Sequence, residues 1–287
     1  EDARRLLGSA SAASGARLAA GSDLLDFRLT VTTKEGKTSE LTKFAKPVTI
    51  ELPVGAGVDA RLAGIYHVGG SGALEYVGGT WRLGKLSADV SHFSAYAVLE
   101  YGKAYADVPA DHWAAGVIKE LTARHLIEGM TENTFAPERK VTRAEFTAML
   151  VRLLNLKAEG VPTFSDVSGQ DWYAGAVAAA SKAGLVNGVS ASEFAPEAVI
   201  KRQEMAAMIV RAYEAAAGKK AAGGEPVRFA DVEASPAWVR EAVAAASRLG
   251  LVNGRTADGF EPEGTATRAE SAQVTANLLN KLGGVIR

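Results

Sequence analysis

Five residues recur in one register three times in the second half of this 287-residue chain, and no other feature restricts its fold as much. The sets are Trp113, Gly129, Phe135, Pro137 and Arg143; Trp172, Gly188, Phe194, Pro196 and Arg202; and Trp238, Gly254, Phe260, Pro262 and Arg268. Within each set the steps are 16, 6, 2 and 6 residues. A shared opening precedes each Trp: AYADV at 104–108, FSDV at 164–167 and FADV at 229–232. Such a period marks a repeated supersecondary unit that has to stack on its neighbours, because one copy cannot bury its apolar face alone.

Each copy reads as an Asp-Val turn, a first helix from about the Trp, a Gly turn, an extended Phe-x-Pro segment and a second helix from the Arg. Ile118, Val177 and Val243 share one column of the first helix, with Leu121, Ala180 and Ala246 a turn further on. In the second helix Phe146, Met149, Leu150, Leu153 and Leu154 step as the inward stripe of an amphipathic helix.

Before Gly102 the texture differs. DFRLTVTT, PVTIELP, AGIYHV, LEYVGG, TWRLG and HFSAYAVLEY read as short strands with a Gly-Gly turn. The expected fold is therefore multidomain: a small all-β, sandwich-like domain followed by an all-α triplicated helical unit. A pseudo-threefold arrangement uses the triplication most simply, and a linear stack satisfies the same register. The boundaries read as 1–23 for a linker or frayed N-terminal segment, 24–102 for the β domain, and 103–158, 159–218 and 219–287 for the repeats.

Composition narrows the function. With 32 basic and 33 acidic residues the net charge is -1, so no global field points to nucleic acid or an acidic membrane, and anion recognition has to be local. The chain has no cysteine, which removes disulfides, thiol catalysis and Cys-based zinc sites. The four His, at 67, 92, 112 and 125, show no paired ligand spacing, so neither a metal nor a cofactor is expected. No phosphate-binding Gly loop follows a strand, and no apolar run is long enough for membrane insertion. The start at Glu1 reads as a processed product or a piece of something larger.

The stretch VTRAEF at 141–146 returns as IKRQEM at 200–205 and ATRAES at 266–271. Thr142 with Glu145, and Thr267 with Glu270, make capping boxes. A cap does not explain the Arg, since a cation in the first turn opposes the helix dipole. Beside a bound anion it makes sense: its planar fork grips a carboxylate while free backbone amides add to the field. The alternative is an ion pair with a turn Asp.

These motifs together resemble the surface-layer homology domain of bacterial envelope proteins, over about residues 103 to 283. The resemblance implies a pseudo-trimeric helical unit whose inter-repeat grooves bind secondary cell wall polysaccharide, an anionic polymer commonly bearing pyruvate ketals. It implies a secreted, non-enzymatic anchor at the cell wall or surface layer. Other surface-layer subunits are further possible partners. A structural lattice role and the C-terminal fragment of a surface enzyme are the alternatives. Carried over by position, the ligand-binding set is Arg143, Arg202 and Arg268; Trp113, Trp172 and Trp238; Asp107, Asp166 and Asp231; Gly129, Gly188 and Gly254; and Asn187 with Asn253. The first repeat departs from this set with Glu128 in place of Asn, and the second with Lys201 in place of the capping Thr.

The same residues also have readings that need no ligand. Each Trp at a helix start is a natural core anchor, although a ring left in a groove stacks on a sugar face. The Asp residues suit turns, and the Gly residues suit a positive φ. His92-Phe93-Ser94 resembles a His-x-Ser turn at which some β modules cut their own backbone, with Ser94 attacking the Phe93 carbonyl and His92 taking the proton. Core packing of Phe93 and Tyr96 is the alternative.

Overall fold

The computed structural model describes residues 11, 15–70, 73–221 and 229–283. Among the described residues ten strands occupy the N-terminal part: β1 Arg17–Ala20, β2 Leu25–Asp26, β3 Thr30–Thr32, β4 Thr38–Glu40, β5 Lys43–Pro53, β6 Ala63–Val68, β7 Leu74–Gly78, β8 Thr80–Arg82, β9 Lys85–His92 and β10 Ala95–Gly102. Six helices follow among the described residues: α1 Ala115–Ala123, α2 Arg143–Leu153, α3 Ala174–Lys182, α4 Arg202–Ala217, α5 Ala237–Arg248 and α6 Arg268–Lys281.

The chain forms two compact units. The first comprises Glu1–Ala110 with Lys119–Phe135. Its main antiparallel sheet runs β1-β10-β6-β7 with β2 also on β10; a second sheet runs β5-β9-β8, and β3 and β4 pair separately. The sequence of β10, AYAVLEYG, is apolar at nearly every position, and such a strand needs cover on both faces. Tyr96 and Val98 pack with Ile50, Leu52, Ile65 and Leu86 between the two larger sheets. Ala97 and Leu99 point the other way, beside Tyr66, and Tyr101 closes with Leu62 on Ala123 of α1. Burying side chains of this size contributes roughly 1.5–3 kcal/mol each. His125 completes that second layer. Its Nε2 shares a hydrogen with the Tyr66 hydroxyl at 3.0 Å, and its ring lies 4.6 Å from Tyr76 and 5.0 Å from Tyr101. Burial pushes the imidazole pKa down against the pull of Glu128, which favours the neutral ring that this tyrosine cluster accommodates.

The second unit comprises Asp111–Ile118 with Ala136–Arg287. Here the second helix of one repeat packs on the first helix of the next, α2 on α3 and α4 on α5, while α2, α4 and α6 meet one another. Phe146, Met149, Leu150 and Leu153 are buried as the periodicity predicts, whereas Leu154 is the C-cap. The hydroxyls of Thr147 and Thr275 are buried too, each bonded to the carbonyl four residues earlier.

The expected division into an all-β sandwich and an all-α unit is therefore corrected on both sides. Residues 119–135, read as part of a helical repeat, cover the second face of the main sheet, because a sandwich alone would leave Tyr66, Ala97 and Leu99 wet. The helical unit in turn carries β-bridges, Lys140 with Thr267, Thr142 with Val199 and Lys201 with Thr265. The molecule is mixed α and β in both units. Within the stretch read as linker, Arg17–Ala20 pairs with β10, Arg17 opposite Gly102 and Ala20 opposite Leu99. Residues 1–10 and 12–14 of that stretch lie outside the described residues.

Candidate functional site

The Phe-x-Pro segment sets the local geometry. Its middle residue is left-handed in every copy, Ala136 at φ 58, Ala195 at 56 and Glu261 at 57. That conformation costs a non-glycine residue on the order of 1–3 kcal/mol, and a following proline disfavours it further. The turn Asp supplies the compensation. Asp166 accepts from the amides of Phe194 at 2.8 Å and Ala195 at 2.7 Å, and Asp231 from Phe260 at 3.0 Å and Glu261 at 2.7 Å. Asp107 accepts from Phe135 at 2.8 Å. Desolvation in the turn pushes the exposed Asp166 carboxyl up, but the amides of Phe194 and Ala195 outweigh it and hold its pKa below the ordinary value.

The twisted turn aims the Phe carbonyl at the Arg of the preceding repeat. Arg143 donates from Nε to the Phe194 carbonyl at 2.9 Å, from Nη2 to the Asn187 carbonyl at 3.1 Å and from Nη1 to Glu204 at 2.9 Å. Arg202 does the same one repeat on, to Phe260 at 2.8 Å, Asn253 at 2.8 Å and Glu270 at 3.4 Å. Each guanidinium also lies over the Phe ring, 4.9 Å from Phe194 and 4.6 Å from Phe260. Arg143, Arg202 and Arg268 are each only 5% exposed. Burial lowers the pKa of Arg143 and Arg202, opposed by Glu204 and Glu270 respectively. The alternative reading of an ion pair with a turn Asp is corrected: the carboxylate is the capping Glu of the next repeat, which lies 61 residues from Arg143 and 68 from Arg202.

The expected free amides at the helix starts are occupied as well. The amides of Arg143 and Ala144 donate to the carbonyls of Ala198 and Pro196, and those of Arg202 and Gln203 to Gly264 and Pro262. Those of Arg268 and Ala269 donate to Arg139 and Pro137. The next amide is capped by Thr142 in α2 and Thr267 in α6. In α4, Lys201 has no acceptor to offer, and only the Glu204 half of the box forms, to the Lys201 amide at 2.8 Å. The repeated stretch is thus the fastener of each seam.

Two further readings change. The φ values of Gly129, Gly188 and Gly254 lie outside the left-handed region; these residues are glycine because the backbone passes too close for a Cβ. At Gly188 a Cβ would stand 2.3 Å from the Ser190 carbonyl oxygen and 2.8 Å from the Phe164 ring. The Trp side chains are not core anchors: Trp113 is 58% exposed, Trp172 64% and Trp238 46%, whereas Phe135, Phe194 and Phe260 are fully buried.

What remains open beside Arg143 is a groove of about 370 Å³, walled by Asn187, Gly188 and Val189, by Glu204 and Arg211 of α4, and by Trp238. Sequence reasoning missed Arg211; the available signal was Arg152, which stands the same nine residues after Arg143 in the first repeat as Arg211 does after Arg202. In the orientation that satisfies both ends of its amide, Asn187 accepts from Arg211 Nη2 at 3.3 Å and donates to the Val186 carbonyl at 3.2 Å. In the β unit, the hydroxyl of Ser94 meets Nε2 of His67 at 3.1 Å, so the His92 and Ser94 pair expected for self-cleavage is not the one formed. Phe93 packs against Phe27 and Phe44.

The family model of the S-layer homology domain matches residues 104–147, 163–206 and 228–272. This part of the chain is three S-layer homology domains. Such domains, shared with S-layer proteins, locate the chain at the bacterial cell surface. An amylopullulanase of Thermoanaerobacterium thermosulfurigenes is 42% identical over 245 residues, 84% of this chain and 13% of that one. That alignment is longer than the S-layer homology repeats, so it takes in part of the β unit. An exoglucanase of Acetivibrio thermocellus is 43% identical over 60% of this chain and 16% of its own. The S-layer protein sap of Bacillus anthracis is 36% identical over 63% and 22%. The chain spans less than a quarter of each of these relatives.

Proposed function

We propose that these S-layer homology domains hold their protein on the envelope by binding an anionic, pyruvate-bearing secondary cell wall polysaccharide in the groove beside Arg143. The observation that carries this reading is the meeting in one open groove of two guanidinium groups, Arg143 and Arg211, with the partly exposed ring of Trp238. Arg143 is held by Glu204, so Arg211 is the cation that suits a carboxylate, and an indole face suits the apolar face of a pyranose. In this reading the Asp, Gly and Phe-x-Pro residues shape the groove, and Trp113 and Trp172 offer equivalent rings in their own repeats. Weak contacts along one polymer raise the overall affinity by effective concentration.

Cosedimentation with purified wall polysaccharide, before and after chemical removal of its pyruvate, tests this. Binding to the native polymer and loss of binding to the depyruvylated one is the expected result. Equal pelleting with both polymers would remove the ionic mechanism, and ordered assembly without polymer would favour a lattice role.

A further inference from the structure

The seams beside Arg143 and Arg202 share their fastening and differ in charge. Beside Arg143 the turn reads Asn187-Gly188-Val189 and α4 contributes Arg211. Beside Arg202 the turn reads Asn253-Gly254-Arg255, and the position in α6 that matches Arg211 is Asn277.

Arg255 is already engaged. Its Nε and Nη2 hold the two oxygens of Glu270 at 3.0 and 3.1 Å, Nη1 bonds Glu261, and Nη2 also reaches the Thr265 carbonyl at 2.9 Å. Two arginines therefore face two glutamates in this seam, and the charges cancel. In the other seam Arg143 is matched by Glu204, while the hydrogen-bond partner of Arg211 is the neutral amide of Asn187. Glu214, one turn on in α4, acts on Arg211 only through space. It is itself bonded to Lys220 at 3.0 Å and to the Ala221 amide at 2.9 Å. Among the described residues Arg211 makes no ion pair, so this groove keeps one partly buried guanidinium with no carboxylate in contact.

We propose that, of these two seams, only the one beside Arg143 takes a carboxylate-bearing sugar, with Arg211 as its ionic contact, and that Arg255 fills the equivalent place beside Arg202 as an internal counter-ion. The proposal rests on the reading of the grooves as glycan sites. A carboxylate entering the first seam meets a guanidinium without a charged partner, next to the Trp238 ring. At the second seam it has to displace a bidentate glutamate from Arg255, exchanging one carboxylate for another with no net gain.

The chain has four tryptophans, and Trp238 lines the first groove, so fluorine NMR of 5-fluorotryptophan-labelled protein reports the seam directly. The whole chain is titrated with short fragments of purified pyruvylated wall polysaccharide, the Trp238 resonance being assigned with Trp238→Phe. We expect a saturable shift of Trp238. Arg211→Gln should weaken binding by about tenfold or more, as the loss of a charge-assisted hydrogen bond does. Arg211→Lys, which keeps the charge and guards against misfolding, should retain most of the affinity. Arg255→Gln should stay within about twofold of the parent, since its cation is not offered to the ligand. A shift at Trp113 or Trp172 in place of Trp238, full affinity in Arg211→Gln, or an equal loss in Arg255→Gln overturns the seam assignment and leaves glycan binding standing. No tryptophan shift together with no heat of binding overturns the glycan reading and this proposal with it.

Discussion

The seam beside Arg143 and the seam beside Arg202 are built from the same parts and leave different surfaces behind. In both, an Arg from one repeat reaches two backbone carbonyls and the capping Glu of the next. The parts that recur at fixed intervals are the fastening. The positions at which these two seams differ, Val189 against Arg255 and Arg211 against Asn277, decide whether a seam ends with a spare charge. Repetition in this chain therefore identifies what holds the repeats together, and deviation from it identifies what distinguishes one groove from another.

The largest effect expected from breaking that comparison follows removal of the fastening Arg. Arg143→Ala should cost about 3–4 kcal/mol, because Glu204 loses its charged partner and two carbonyls lose their donor. Arg202→Ala should cost less, about 2–3 kcal/mol, because Arg255 still neutralises Glu270. Urea unfolding of the two variants reads the difference, and equal midpoints would mean that Arg255 does not share the load. An intermediate effect is expected at the turn that aims the Phe194 carbonyl. Asp166→Asn should cost about 1 kcal/mol at neutral pH, the solvent-exposed carboxylate being partly screened.

The pH dependence of that step has a definite sign. The folded pKa of Asp166 lies below its ordinary value, so the unfolded chain takes up the proton first as the pH falls. Its contribution is complete above the ordinary carboxylate range and disappears as the pH falls through the folded value. Parent and Asp166→Asn should therefore differ at neutral pH and converge in acid, and parallel stability curves would refute the assignment.

The smallest effect makes the start of α4 like those of α2 and α6. Lys201→Thr supplies the missing cap and gives up an exposed ion pair with Glu263. The balance should be a gain of about 0.5 kcal/mol, or roughly 1–2 °C in Tm. A loss on this substitution would mean that the Lys201 pair matters more to the seam than a cap does.

Much of this was legible along the chain. The S-layer homology repeats, the helix starts at Arg143, Arg202 and Arg268, the two Thr caps and the buried columns follow from local spacing, because caps and amphipathic stripes act within a few residues. HFSAYAVLEY was legible as a strand, and its apolar residues at nearly every position require cover. It did not say that the cover would come from residues 119–135, since a strand specifies what it must bury and not which segment buries it.

The tertiary structure alone decided the rest. That the repeated Arg is buried between repeats, that Glu204 both caps its own helix and holds Arg143, and that Gly188 answers a close approach rather than a left-handed turn all depend on groups that meet only when the repeats pack. Arg211 and Arg255 look alike as letters, each an arginine in a helical repeat. One faces a neutral amide and the other two carboxylates, because charge balance belongs to the space between elements and not to the order of residues within one.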